Sequence, residues 1–202
     1  NTVTLTATDA NSNASTATAT VTVIDSIAPT ASAQNVTVYL DGTGNALITT
    51  ADIDNGSIYA CGLSNLSLDV SSFTCADVGN NTVTLTATDA NNNASTATAI
   101  VTVIDSTRPT ASAQNVTIYL NAAGTASITT SDVDNGSSDA CGISSLSLDV
   151  SSYTCSNVGA NTVTLTATDA NNNASTATAI VTAIDSTRPT ASAHNITVYL
   201  DG

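Results

Sequence analysis

Four cysteines, Cys61, Cys75, Cys141 and Cys155, are the residues of this chain best able to make a covalent bond. The second pair repeats the first 80 residues later. Two Cys with no His or further Cys nearby cannot complete the tetrahedral shell of zinc, and their spacing is not the C-x-x-C of a redox centre. This favours a structural disulfide within each repeat, Cys61 to Cys75 and Cys141 to Cys155. Each would close a loop of about 15 residues and contribute about 3 kcal/mol on the chain-entropy model.

The other chemically capable set is acidic. All 16 acidic residues are Asp; with no Lys and two Arg the formal net charge is −14. Two Arg cannot neutralise nucleic-acid phosphates or dock a chain on anionic lipid, and no apolar run approaches the ~18 residues of a spanning helix. Without Lys, no Lys–Asn isopeptide staple can form. Hard carboxylate and amide oxygens are what calcium selects. The candidates are Asp52 and Asp54, Asp132 and Asp134, the turn groups Asp89, Asn91, Asn93 and Asp169, Asn171, Asn173, the linker residues Asp25 and Asp105, and Asp139. DIDNG opens like a calcium loop but lacks its closing Glu. The competing reading is that these residues only make turns, through side-chain bonds to their own backbone. No cofactor is required on either reading; calcium is the one ion the sequence suggests.

Catalysis has little to stand on. The single His, His194, replaces Gln34 and Gln114 of the other repeats, and no Ser-His-Asp set or phosphate-binding glycine loop recurs. The chain is not expected to be an enzyme.

The elements that position these residues follow from a repeat. NTVTLTATDA stands at 1, 81 and 161, and residues 31–110 align with 111–190 without a gap at 63 identical positions of 80. Such a period suits one small β-domain per repeat. The expected organisation is the C-terminal part of a repeat at 1–26, complete repeats at 27–106 and 107–186, and the opening strand of another at 187–202, a window cut from a longer array. Strands are predicted at 35–40, 46–50, 66–70 and on toward Cys75, 81–89 and 95–105. Val83, Leu85 and Ala87 alternate with Thr82, Thr84, Thr86 and Thr88, so one face is apolar and the other a ladder of hydroxyls. Six or seven strands in 80 residues make a sandwich, whose loops would gather Asp52, Asp54, Asp89, Asn91 and Asn93 beside Asp25 at one junction, and Asp132, Asp134, Asp139, Asp169, Asn171 and Asn173 beside Asp105 at the next. The IDSTRPT linkers are short and stiffened by Pro.

The set DxDNGS, ACG, SLSLDVSS(F/Y)TC and VGxNTVTLTATD, closed by NASTATAIVT and a Pro-containing linker, resembles the hyalin-repeat group of immunoglobulin-like domains. More narrowly, it resembles the tandem repeats of giant Bacteroidota cell-surface adhesins of the gliding-motility type. The family's usual turn Gly is Asn92 and Asn172 here, and Ala97 and Ala99 thin the core. The resemblance implies an all-β array of tandem immunoglobulin-like β-sandwich domains, elongated, secreted and extracellular at the cell surface. Its function would be a stalk projecting an adhesive region, with neighbouring repeats, other copies in a fibre, and an external surface as partners. The alternative is that the repeats themselves grip polysaccharide multivalently. Ser26, Ser106 and Ser186, each in an Asp-Ser linker, match an O-glycosylation pattern of that phylum; unmodified linker serines are the other reading.

Overall fold

The structure is a computed structural model that describes residues 1–201, and it is all-β apart from single helical turns. Its strands are β1 (Thr2–Thr8), β2 (Ala14–Thr20), β3 (Val36–Tyr39), β4 (Asn45–Leu47), β5 (Leu63–Leu68), β6 (Ser72–Thr74), β7 (Gly79–Asp89) and β8 (Ala94–Ile104), then β9 (Val116–Tyr119), β10 (Thr125–Ser127), β11 (Ile143–Leu148), β12 (Ser152–Thr154), β13 (Gly159–Asp169) and β14 (Ala174–Ile184). One-turn helices α1 (Thr50–Ile53) and α2 (Thr130–Val133) sit at the same place in each repeat. The first corrects the expected strand at 46–50, which stops at Leu47. Asp52 Oδ2 accepts both the backbone N–H and the hydroxyl of Thr49, each at 2.7 Å, a capping box that turns the chain helical.

Two compact units divide the chain. One holds residues 1–38, 47–72 and 80–102; the other holds 39–46, 73–79 and 103–202. The second unit therefore contains the whole second repeat, the end of β8, and two segments of the first repeat that hold most of β4 and β6.

In the second repeat, a four-stranded sheet runs β11-β13-β14-β9 and a two-stranded sheet pairs β10 with β12. All pairs are antiparallel except β14 with β9, which run parallel. Val163, Leu165, Ala179 and Val181 from the larger sheet meet Tyr153 of β12 and Val133 of α2 in one core, which makes a two-layer sandwich. The period-2 pattern dictates this: in β13 Val163, Leu165 and Ala167 are buried while Thr162, Thr164, Thr166 and Thr168 alternate on the outer side. The first repeat has the same strand orders, β3-β8-β7-β5 and β4-β6. The tight turns after Asp89 and Asp169 place Asn92 and Asn172 at φ 66°, left-handed geometry that Asn tolerates.

Candidate functional site

Each linker begins with an aspartate that closes a turn over its own linker. Asp25 Oδ1 accepts from Ile27 N at 3.1 Å, Asp105 Oδ1 from Thr107 N at 3.0 Å, and Asp185 Oδ1 from Thr187 N at 2.9 Å. The last hairpin of the following repeat then clamps the linker backbone. Asn93 Nδ2 donates to Asp25 O, and Asn173 Nδ2 to Asp105 O, both at 3.2 Å. Asp89 and Asp169 hold these hairpin turns. In each, Oδ1 accepts from two backbone N–H groups and Oδ2 from the Asn93 or Asn173 amide.

Within the first unit the linker carboxylate is fully partnered. Asp25 Oδ1 accepts the Tyr59 hydroxyl at 2.6 Å and Oδ2 the Asn91 amide at 3.2 Å. These bonds, the Tyr59 one foremost, hold the Asp25 carboxyl below its ordinary range, and the same bond pushes the Tyr59 phenol well above its own. Tyr59 was not among the sequence candidates; the signal that could have found it is the change from Tyr59 to Asp139 at matched positions.

Within the second unit the corresponding groups are two carboxylates. Asp105, 5% exposed, and the half-buried Asp139 each keep Oδ2 buried with no hydrogen bond from the protein. Asp139 Oδ1 accepts from Cys141 N at 2.8 Å. Asp105, Asp139 and Cys141 each offer an atom within 4.8 Å of the others, the one such group among the described residues. Cys141 is disulfide-bonded, so its sulfur is neutral and a poor ligand; the atoms this group could offer a hard cation are the two carboxylates.

The other acidic candidates are engaged in their own loops. Asp52 and Asp132 cap α1 and α2, and Asp54 and Asp134 accept from the backbone N–H of Ser57 and Ser137. Asn171 donates its backbone N–H to Asp169. Ser26, Ser106 and Ser186 are all exposed, as is His194.

The cysteines pair differently from the sequence expectation. Cys75 bonds Cys141, 66 residues away, while Cys61 and Cys155 are free and exposed. The geometry of the second repeat explains the correction. After Cys141 the six residues of β11 carry the chain about 20 Å along one sheet. The short β12 then enters the other sheet before Cys155, so the chain does not bring Cys155 back to Cys141. Gly44 makes room for the observed bond: at φ 78°, a Cβ there would lie 2.6 Å from Cys75 Sγ and 3.6 Å from Cys141 Sγ.

No family model and no curated protein matches this sequence. Among solved structures, cadherin domains 1–4 of protocadherin gamma B7 align at 12% identity and a TM-score of 0.39, over 86% of this chain and 55% of that one. The chain thus spans about half of that fragment. Human mucin-like protocadherin domains 1–2 align at 10% identity and 0.40, covering 76% and 97%, and mouse cadherin-23 domains 22–24 at 15% identity and 0.40, covering 91% and 74%. At these values no residue correspondence or function transfers to this chain.

Proposed function

We propose that this chain is a structural segment of an extracellular adhesive array, in which the junction between successive repeats is the built feature. The observation that carries this reading is the Cys75–Cys141 bond, which joins one repeat to the next and belongs to an oxidising compartment. The clamp of Asn173 on Asp105 supports the same reading. On this view residues 27–106 and 107–186 are successive modules of a cell-surface stalk that holds an adhesive region outward, as the resemblance to gliding-type adhesins implies, and the exposed Ser26, Ser106 and Ser186 are its glycan sites. Antibody against the repeats should label intact cells. Labelling only after permeabilisation would sink the proposal.

A hard divalent cation, calcium by ligand type, belongs between Asp105 and Asp139. Two carboxylates that approach within 4.8 Å of each other and each keep an oxygen buried without a donor repel, and an ion with water completing its shell removes that cost. At the affinities of extracellular modules, ~10 mM calcium would add about 1–3 kcal/mol. A thermal midpoint that does not move with calcium would refute the ion.

A second reading has one specific observation behind it. Tyr39 and Tyr119 stand 61% and 63% exposed at the same position of each repeat, and such aromatics are platforms for sugar rings. Tyr119→Ala should then abolish retention on polysaccharide, whereas no retention of the unaltered chain would leave the stalk alone.

A further inference from the structure

The bonded Cys75 and the free Cys155 occupy the same pose. Each opens a 3-10 turn, Cys75–Asp77 and Cys155–Asn157. Each sulfur lies 3.7 Å from the carbonyl oxygen of a glycine, Gly44 or Gly124. A Cβ on either glycine would stand 2.6 Å from that sulfur. The backbone on which Cys75 meets its partner is thus reproduced around Cys155, sulfur position included. At Gly44 the same imaginary Cβ also touches Ala140 at 3.5 Å, so the Ala-Cys-Gly turn seats on this glycine. At Gly124 the corresponding place is an open groove, lined by Ala123, Gly124, Cys155, Asp185 and Arg188. Cys61, in turn, stands exposed in an Ala-Cys-Gly turn of its own, the position that Cys141 holds in the bonded pair.

We infer that the cysteines form a ladder that always runs from one repeat into the next, with no bond inside a repeat. The groove at Cys155 takes the Ala-Cys-Gly turn of the repeat that residues 187–202 begin. Residues 191–202 match 31–42 at 10 of 12 positions, so the opening strand of that repeat is already present. The bond would form 66 residues onward, as Cys75 does with Cys141. Chemically, two thiols lose two protons and two electrons and one S–S bond forms. The electrons pass by thiol–disulfide exchange to an oxidant of the dithiol-oxidase or small-disulfide class, which leaves reduced. The ladder rests on the extracellular reading, because only an oxidising compartment sustains it.

The test is a disulfide map of the full-length native chain, alkylated before non-reducing cleavage on the N-terminal side of Asp. The ladder predicts peptide 69–76 joined to 139–148, and peptide 149–168 joined to the next Ala-Cys-Gly peptide, with no alkyl label on Cys155. Peptide 54–68 joined to 69–76, or 139–148 joined to 149–168, overturns it by placing the bonds within repeats. Cys155 alkylated while Cys75–Cys141 is intact overturns the ladder but spares the extracellular reading. A bridge from Cys155 that doubles the mass of the chain overturns it in favour of a second copy. All four cysteines alkylated removes both readings.

Discussion

Asp25 and Asp105 begin two linkers of nearly the same sequence, close the same turn, and are clamped by the same asparagine of the next hairpin. Their surroundings diverge at one matched position. Tyr59 donates to Asp25 and leaves that carboxylate satisfied, whereas Asp139 adds a second carboxylate and leaves an oxygen of Asp105 buried without a donor. A scaffold that is 63 parts in 80 identical thus presents a hydrogen-bonded closure in one unit and, in the other, a closure with two buried carboxylate oxygens left without a donor. The scaffold is set by strand periodicity, which many small residues serve equally well. The chemistry at its end is set by whichever side chain precedes Ala-Cys-Gly. Two repeats can therefore share a fold and differ in which carboxylate oxygens they leave without a donor.

The harshest way to break this comparison is to remove the covalent bond beside only one of the sites. Cys141→Ser opens a loop of 66 residues, and chain entropy alone puts the loss on the order of 4 kcal/mol. In residues 1–202 taken alone, Cys61→Ser alters an exposed free thiol and should stay within about 0.5 kcal/mol. Urea denaturation of both variants under non-reducing conditions measures the contrast, and equal losses would contradict the pairing. Exchanging the divergent residue comes next. Asp139→Tyr rebuilds the Tyr59 arrangement at Asp105 and should erase the calcium response of about 1–3 kcal/mol while raising stability without calcium. A calcium-dependent thermal midpoint that survives the exchange would move the ion elsewhere.

A smaller effect separates the two cores. Phe73 and Tyr153 are equivalent and almost wholly buried, but the Tyr153 hydroxyl has no partner there. Burial, with the charge of Asp149 behind it, pushes that phenol up. An unsatisfied buried hydroxyl costs about 1–3 kcal/mol. Tyr153→Phe should therefore raise the unfolding free energy by about 1 kcal/mol after the lost packing, read as a higher urea midpoint, and a lower midpoint would mean that the hydroxyl is bonded.

The alternation of Val83, Leu85 and Ala87 with threonines made the long strands readable, because burial on one face of a pleat leaves a period of two in the residues themselves. The one-turn helices were hidden, since a capping box on Thr49 competes locally with a run that otherwise reads as strand. The cysteine pairing was hidden for a different reason: proximity in sequence favoured Cys61 with Cys75, and only the three-dimensional path of β11 and β12 separates such neighbours. Most acidic candidates were read from turn-forming residues, and turns are where Asp52, Asp54, Asp132 and Asp134 are engaged. The sandwich expectation already set Asp139 beside Asp105 at one junction; what no local pattern encodes is that these two, rather than Asp132, Asp134 or Asp169, come into contact.

The gentlest probe of the comparison is pH, applied to the Asp25 side. Its hydrogen bonds to Tyr59, Ile27 and Asn91 lower the Asp25 pKa. The stability they contribute is therefore present above the ordinary carboxylate range and is lost as pH falls through the lowered value. Tyr59 works in the opposite sense. Its raised pKa means that its contribution is present below the ordinary tyrosine value of about 10 and is lost as pH rises above it. Tyr59→Phe should flatten both flanks of the stability profile of the first unit. With a carbon-13 label in the Tyr59 ring, the resonance should stay that of the neutral phenol to higher pH than free tyrosine does. Ionisation in the ordinary range would show that the phenol does not hold Asp25, and the contrast between the two linker aspartates would then rest on Asp139 alone.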